Sequence, residues 1–240
     1  HNLIMKIFNL MQIVPSLQSG GVEQGTVDLS NYLASLKIRN FIISNGGNLL
    51  SYLNKQYVDH SILPVHSKNF FKMPFTAKKV NKLLKESEIN ILHLRSRAPA
   101  WMLPYLEKDN LKIVSTFHNI YGHENIIKKI YKKKLSKVDK IVAISNYVKN
   151  AIIDLYKINP EKIKVINRGI DVNFFDSDNI DQEFFINFLK KNNILPDNKI
   201  ILFPGRLTKW KGQIEFLNIV NALKDKKIIF YFIGDDKNTS

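Results

Sequence analysis

An alternation of segment types most constrains what this chain can fold into. Short apolar runs of β character are followed by longer stretches whose apolar residues recur at helical spacing, and the pair repeats along the first 166 residues. A β-like run over 6–14 leads through a glycine-containing loop into a stretch with Val22, Leu29, Leu33 and Leu36 on one helical face. A strand over 41–44 ends at Asn45-Gly46-Gly47, a turn signal. After a less regular stretch, 76–85 reads as a helix through Ala77, Val80, Leu83 and Leu84. Strands are expected at 91–94 and 112–117. Between them lies a short helix over 98–106, which Pro99 suits at its first turn and Pro104 shortens or kinks. A lysine-rich helix over 125–138, a strand over 140–144, a helix capped by Ser145 and a strand over 164–166 complete the series. This order predicts an open, mostly parallel sheet with helices on both faces, and ligands of such sheets bind outside the carboxyl ends of the strands.

Residues 167–179 break the rhythm with Gly169 and several aspartates. It then restarts, with a helix over 182–191, a strand over 199–203, a helix over 210–223 and a strand over 228–233. The expected organisation is a Rossmann-like domain over 1–166, a linker over 167–179 and an incomplete second domain over 180–240. Two strands are too few to close a core of their own.

Composition narrows the classes. Of 240 residues, 45% are hydrophobic and 24% charged, enough apolar material for a core, so a disordered chain is excluded. No apolar run approaches the roughly 18 residues of a membrane span, and the first residues lack the layout of a secretion signal. The absence of cysteine excludes a disulfide scaffold and thiolate metal sites. A cytoplasmic protein is the expectation. The net charge of +15 suits anionic partners such as nucleotide diphosphates, nucleic acid or an acidic membrane. Lysine supplies almost all of that excess, a usage that compositional bias also produces, so charge alone does not choose among them.

The residues that follow each strand carry the chemistry. In the segment from Phe203 to Gln213, Gly205 permits a tight turn, and Arg206 and Lys211 can both stand above the strand end. A guanidinium fork with an ammonium suits a diphosphate. Gly20 and Gly21 precede a helix start and would expose backbone N–H groups at its positive end, an anion seat. Gly25, one turn further in, can allow close approach. The pattern is not G-x-G-x-x-G, and the second strand has no acidic residue after it, so a nicotinamide dinucleotide site is disfavoured. His118 follows the strand at 112–117 and can bond a sugar hydroxyl or a phosphate. Arg95 and Arg97 are two of only five arginines in a lysine-dominated chain, which points to a need for forked donors. Arg168 stands where the first domain hands over to the linker. His118, His123 and Glu124 match no helical metal-ligand pair, so no metal is expected.

Taken in order, Gly20-Gly21-Val22-Glu23, the His93–Trp101 segment, Thr116-Phe117-His118-Asn119, the segment from Val138 to Ser145, Val165–Asp171, Gly205–Gly212 and Ile233-Gly234-Asp235 resemble the family-four retaining glycosyltransferases. The resemblance implies the GT-B fold, two Rossmann-like, doubly wound domains with a nucleotide-sugar donor between them, here with the second truncated. It implies that Arg206 and Lys211 hold the diphosphate, with His118 facing the donor sugar as the third catalytic group. Gly20, Gly21, Glu23 and Gly234 belong to the donor site, and Arg95, Arg97 and Arg168 are expected on the acceptor side. No cofactor is required beyond a UDP-, GDP- or ADP-sugar as donor substrate. The family's E-x7-E glutamate pair is not reached in this sequence. The acceptor is expected to be a cell-envelope glycan, such as lipopolysaccharide, or a lipid-linked acceptor. The basic helix over 125–138 can dock peripherally on an anionic membrane, although a core-packed helix with a solvated lysine face explains it as well. Two other readings stay open: a nucleotide-sugar epimerase of the same fold, and a non-catalytic basic binding module. Against nucleic acid as a partner, the basic residues are spread along the chain without an aromatic-basic readout motif.

Overall fold

The structure is a computed structural model that describes residues 8–67, 69, 71–119, 134–207, 211–223 and 227–234. The chain divides into two compact units, His1–Gly169 and Ile170–Ser240.

The first unit is a seven-stranded sheet of β1 (Leu10–Ile13), β2 (Asn40–Ser44), β3 (Val58–Ile62), β4 (Ile91–Leu94), β5 (Lys112–Phe117), β6 (Lys140–Ala143) and β7 (Ile163–Val165). Its order is β3-β2-β1-β4-β5-β6-β7, with every pair parallel. Helices α1 (Gly21–Ser35), α2 (Met73–Glu86) and α3 (Asn146–Tyr156) connect them. Strand order reverses between β1 and β4, which makes the crevice at their carboxyl ends the topological switch point. Strands buried on both faces read as apolar runs, and β1 is buried at all four positions. One apolar cluster joins Met11, Ile13, Leu92, Leu94, Ile141 and Ile152, and a second joins Val14, Leu17, Val27 and Ile42.

Several expected elements take a different form. The sheet gains β3, which its polar residues Asp59, His60 and Ser61 hide from a reading of apolar runs. Among the described residues it lies at the sheet edge, paired with β2, and needs little apolar surface there. The segment expected as a helix at 98–106 is a 3-10 helix over Pro99–Tyr105. Pro104 lacks the N–H that a continued α-helix would use. The described part of β1 begins at Leu10, later than the expected run. Most of the lysine-rich helix expected at 125–138 lies outside the described residues, and Lys134–Ser136 forms a 3-10 turn. The Ser145 cap is present: its Oγ accepts from the Val148 amide at 3.2 Å.

The second unit has α4 (Gln182–Lys191), β8 (Lys199–Pro204), α5 (Gln213–Ala222) and β9 (Ile228–Ile233), with β8 and β9 parallel. Asp181 caps α4 by accepting from the Phe184 amide at 2.7 Å. α5 begins later than the apolar spacing suggests because Gly212 takes a left-handed φ of 85° at its N-cap. Phe216 packs against Phe203 and Phe232 at ring-centroid separations of 4.6 and 4.9 Å.

Candidate functional site

β1, β4 and β5 deliver their following residues to one end of the sheet. After β1 the chain turns at Pro15–Ser19 and enters α1 at Gly20, whose φ of 135° suits a residue without a side chain. The first amides of α1 have no intrahelical acceptor and point outward. Glu23 folds back over this turn, its Oε2 2.7 Å from where a Cβ on Gly20 would lie. It sits at the third helical position, where an acidic side chain complements the positive helix end. Glu23 is therefore an acidic group on the rim of the turn, suited to a hydroxyl rather than to a phosphate.

Arg95 follows β4, its amide donating to the Ile13 carbonyl at 2.9 Å, so β1 and β4 fix its backbone. The side chain is only 8% exposed. Its Nε donates to Thr26 Oγ1 at 3.1 Å, and Thr26 in turn donates to the Val22 carbonyl at 2.8 Å. One turn of α1 thus holds the guanidinium in place. Arg168, beyond β7, reaches the same helix. A Cβ on Gly21 would fall inside the Arg168 guanidinium. A Cβ on Gly25 would lie 3.1 Å from Arg95 Nη2 and 3.3 Å from Arg168 Nη2. Both arginines therefore cross α1 where it has no side chain. Burial first, and the charge of Arg168 second, bring the Arg95 pKa down to about 10, against a smaller upward pull from Asp28. Arg95 remains a cation at neutral pH.

Two histidines lie beside these cations. His93 on β4 is 8% exposed and shares a 2.7 Å hydrogen bond with Thr116 Oγ1 on β5. Burial, then Arg95 and His118, lower its pKa to about 3. For His118, burial, then Arg95 and Arg168, bring the value to about 4, while the Arg95 backbone pulls upward. Both are neutral near pH 7. Both His118 ring nitrogens are shielded from solvent, and neither makes a hydrogen bond of good geometry among the described residues. A neutral imidazole offers one donor and one acceptor, the pair that a sugar hydroxyl matches. His93 and Thr26 were not anticipated as part of this site. Their signal was present in the sequence: a histidine inside an apolar strand, and a threonine one turn into a glycine-opened helix.

The structure thus brings Gly20, Gly21, Glu23, Arg95, Arg168 and His118 to one end of the first unit. Arg97 is half-buried in the turn that leads into the next segment, its carbonyl accepting from the Ala100 amide at 3.2 Å. In the second unit, Arg206 and Lys211 are exposed just beyond β8. Lys211 Cδ lies 3.9 Å from the Cβ position of Gly205, and Gln213 Nε2 donates to the Arg206 carbonyl at 2.7 Å, tying the loop to α5. Gly234 follows β9, and a Cβ there would collide with the Gly205 carbonyl, so this position keeps the two strand ends together. Among the described residues no group of three or more metal-ligating side chains converges, and His123 and Glu124 lie outside them. No helix among the described residues is long and apolar enough to cross a membrane. A cleft of about 400 Å³, lined by Glu88, Asn90 and Glu107 among others, opens at the amino ends of β4 and β5, away from this cluster.

The sequence model of Glycosyltransferase Family 4 matches residues 19–174. An uncharacterized glycosyltransferase of Methanocaldococcus jannaschii is 35% identical over 132 residues, which cover 52% of this chain and 30% of that protein. The chain spans from a fifth to a third of the length of the first curated relatives it matches. The crystal structure of a glycosyltransferase from Rickettsia africae superposes with a TM-score of 0.78 at 34% identity, covering 95% of this chain and 69% of that one. Anabaena HepE in complex with UDP and glucose superposes with a TM-score of 0.78 at 16% identity, over 96% of this chain and 62% of that one, a likeness of fold alone. The architecture is α/β, of the type found in GT-B glycosyltransferases.

Proposed function

We propose, from the premise that this chain belongs to glycosyltransferase family 4, that it is part of a retaining enzyme that moves a sugar from a nucleotide-diphosphate donor to a glycan or lipid-linked acceptor of the cell envelope. The observation that carries this reading is the loop after β8, where Arg206 and Lys211 stand exposed together beside Gly205 at a strand's carboxyl end. In glycosyl transfer the bond between the sugar's anomeric carbon and the β-phosphate oxygen breaks, and its electron pair stays on the diphosphate. The acceptor oxygen bonds to the anomeric carbon, and its proton passes to the departing phosphate. Negative charge therefore grows on the diphosphate, and fixed cations that meet it there lower the barrier. Arg206 supplies a planar fork and Lys211 a point charge, a combination that needs no metal. Gly20 and Gly21 let the donor approach the α1 amides. His118, neutral at physiological pH, orients a donor hydroxyl without adding charge. Arg95, Arg97 and Arg168 serve the acceptor side.

HepE is described with UDP and glucose, which makes a UDP-sugar the first donor to try. Calorimetric titration of the chain with UDP tests the role of the loop. Arg206→Ala and Lys211→Ala are each expected to weaken UDP binding about tenfold, since a hydrogen bond to a charged group contributes about 1.5 kcal/mol or more. Unchanged binding in both variants would falsify the assignment.

A further inference from the structure

We infer that Arg95 and Arg168, converging over Gly21 and Gly25 of α1, form an oxyanion seat within the first unit that takes the phosphate or carboxylate group of an anionic substrate. The inference rests on the transferase reading only for what the substrate is. The seat itself is built from first-unit residues and uses none of the Arg206–Lys211 loop.

Three observations carry it. First, Arg95 is a buried guanidinium whose close charged neighbour is another cation. Among the described residues neither Arg95 nor Arg168 makes an ion pair. The acidic residue that acts on Arg95, Asp28, is already hydrogen-bonded to Gln24 at 2.7 Å. A buried charge without a counter-ion is costly, and a second cation adds repulsion. An oxyanion bound by both guanidiniums relieves both effects at once. Second, the arrangement is held in place before any ligand arrives. Thr26 grips Arg95 Nε, and the Ile13 carbonyl fixes its backbone. The Nη face of the fork is thereby directed along α1 toward Arg168 Nη2. Third, the helix yields space for this. Gly21 and Gly25 stand one turn apart; a methyl group at Gly21 would overlap the Arg168 guanidinium, and one at Gly25 would crowd both guanidiniums at 3.1 and 3.3 Å. The α1 amides open on the same turn and add donors of the same sign. In a chain with only five arginines, two are placed here, and a planar fork suits an oxyanion better than a lysine does.

The test is calorimetric titration of the 240-residue chain with inorganic phosphate, glucose 6-phosphate and UDP, with circular dichroism to check each fold. In an Arg206→Ala/Lys211→Ala background, phosphate is expected still to bind. Adding Arg168→Gln, or separately Gly25→Ala, is expected to weaken it tenfold or more with the spectrum unchanged. Arg168 is exposed, so its replacement does not depend on the core tolerating a change. The two possible carriers separate in the otherwise native chain. If Arg168→Gln weakens UDP, the donor brings the oxyanion; if it weakens glucose 6-phosphate and spares UDP, the acceptor does. Phosphate binding that is absent from the double variant, or that persists equally in Arg168→Gln and Gly25→Ala, overturns the seat. UDP binding that ignores Arg206→Ala and Lys211→Ala defeats the donor assignment and leaves the seat standing.

Discussion

His93 and His118 make the site sensitive to acid in a direction that can be worked out. Both have folded-state pKa values far below the ordinary 6.5, about 3 and about 4, and burial is the first cause in each case. Between those values and 6.5 the unfolded chain binds more protons than the folded one, so stability rises with pH across that window and is lost as pH falls through it. Each histidine contributes a slope of up to about 1.4 kcal/mol per pH unit where the linkage is complete. Urea unfolding at pH 7 and at pH 5 should therefore show a clear loss at the lower pH, and His93→Gln should flatten that dependence relative to its own value at pH 7. An equal slope in the variant would mean that His93 does not stay neutral in the folded chain. At this scale the sequence exposed the identities of the site residues better than their relations. Arginine usage singled out Arg95 and Arg97, and strand ends singled out His118. Nothing in the sequence told that Arg168, far along the chain, would lie against Gly21, because that contact depends on how β7 is placed in the sheet order.

Individual elements were legible where one local rule governed them. The strands at Ile91–Leu94, Lys112–Phe117 and Ile228–Ile233 and the helix at Gln182–Lys191 match the expected limits, since apolar runs and side-chain caps define each of them alone. β3 was hidden because an edge strand needs no apolar run, and the Pro99–Tyr105 segment changed type because two prolines limit the hydrogen bonds available to it. The Ser145 cap is a case where the local rule can be tested directly. Its Oγ satisfies the Val148 amide, one of the donors that α3 leaves open at its start. Ser145→Ala should cost about 1 kcal/mol of unfolding free energy, and Ser145→Asp should recover most of it. If chemical denaturation finds the alanine variant as stable as the native chain, the cap does not hold α3.

At the scale of the whole molecule, the chain divides into two compact units, with the buried apolar clusters in the first and a smaller aromatic group around Phe216 in the second, and this shapes how the chain should lose its structure. Leu92 lies in the main cluster of the first unit, fully buried on β4. In the second unit Phe216 of α5 is buried, its ring against Phe203, Phe230 and Phe232. Removing a buried leucine or phenylalanine side chain costs about 3 kcal/mol, and the loss falls on the cooperative unit that contains it. Chains of more than one compact unit often depart from a single all-or-none transition. Phe216→Ala should therefore lower hydrogen-exchange protection in β8 and β9 and leave β1, β4 and β5 at their native protection. Leu92→Ala should produce the converse pattern. Peptide-resolved exchange by mass spectrometry reads both outcomes in one experiment. If Phe216→Ala strips protection from the seven-stranded sheet to the same extent as from β8 and β9, the chain unfolds as one cooperative body and not unit by unit.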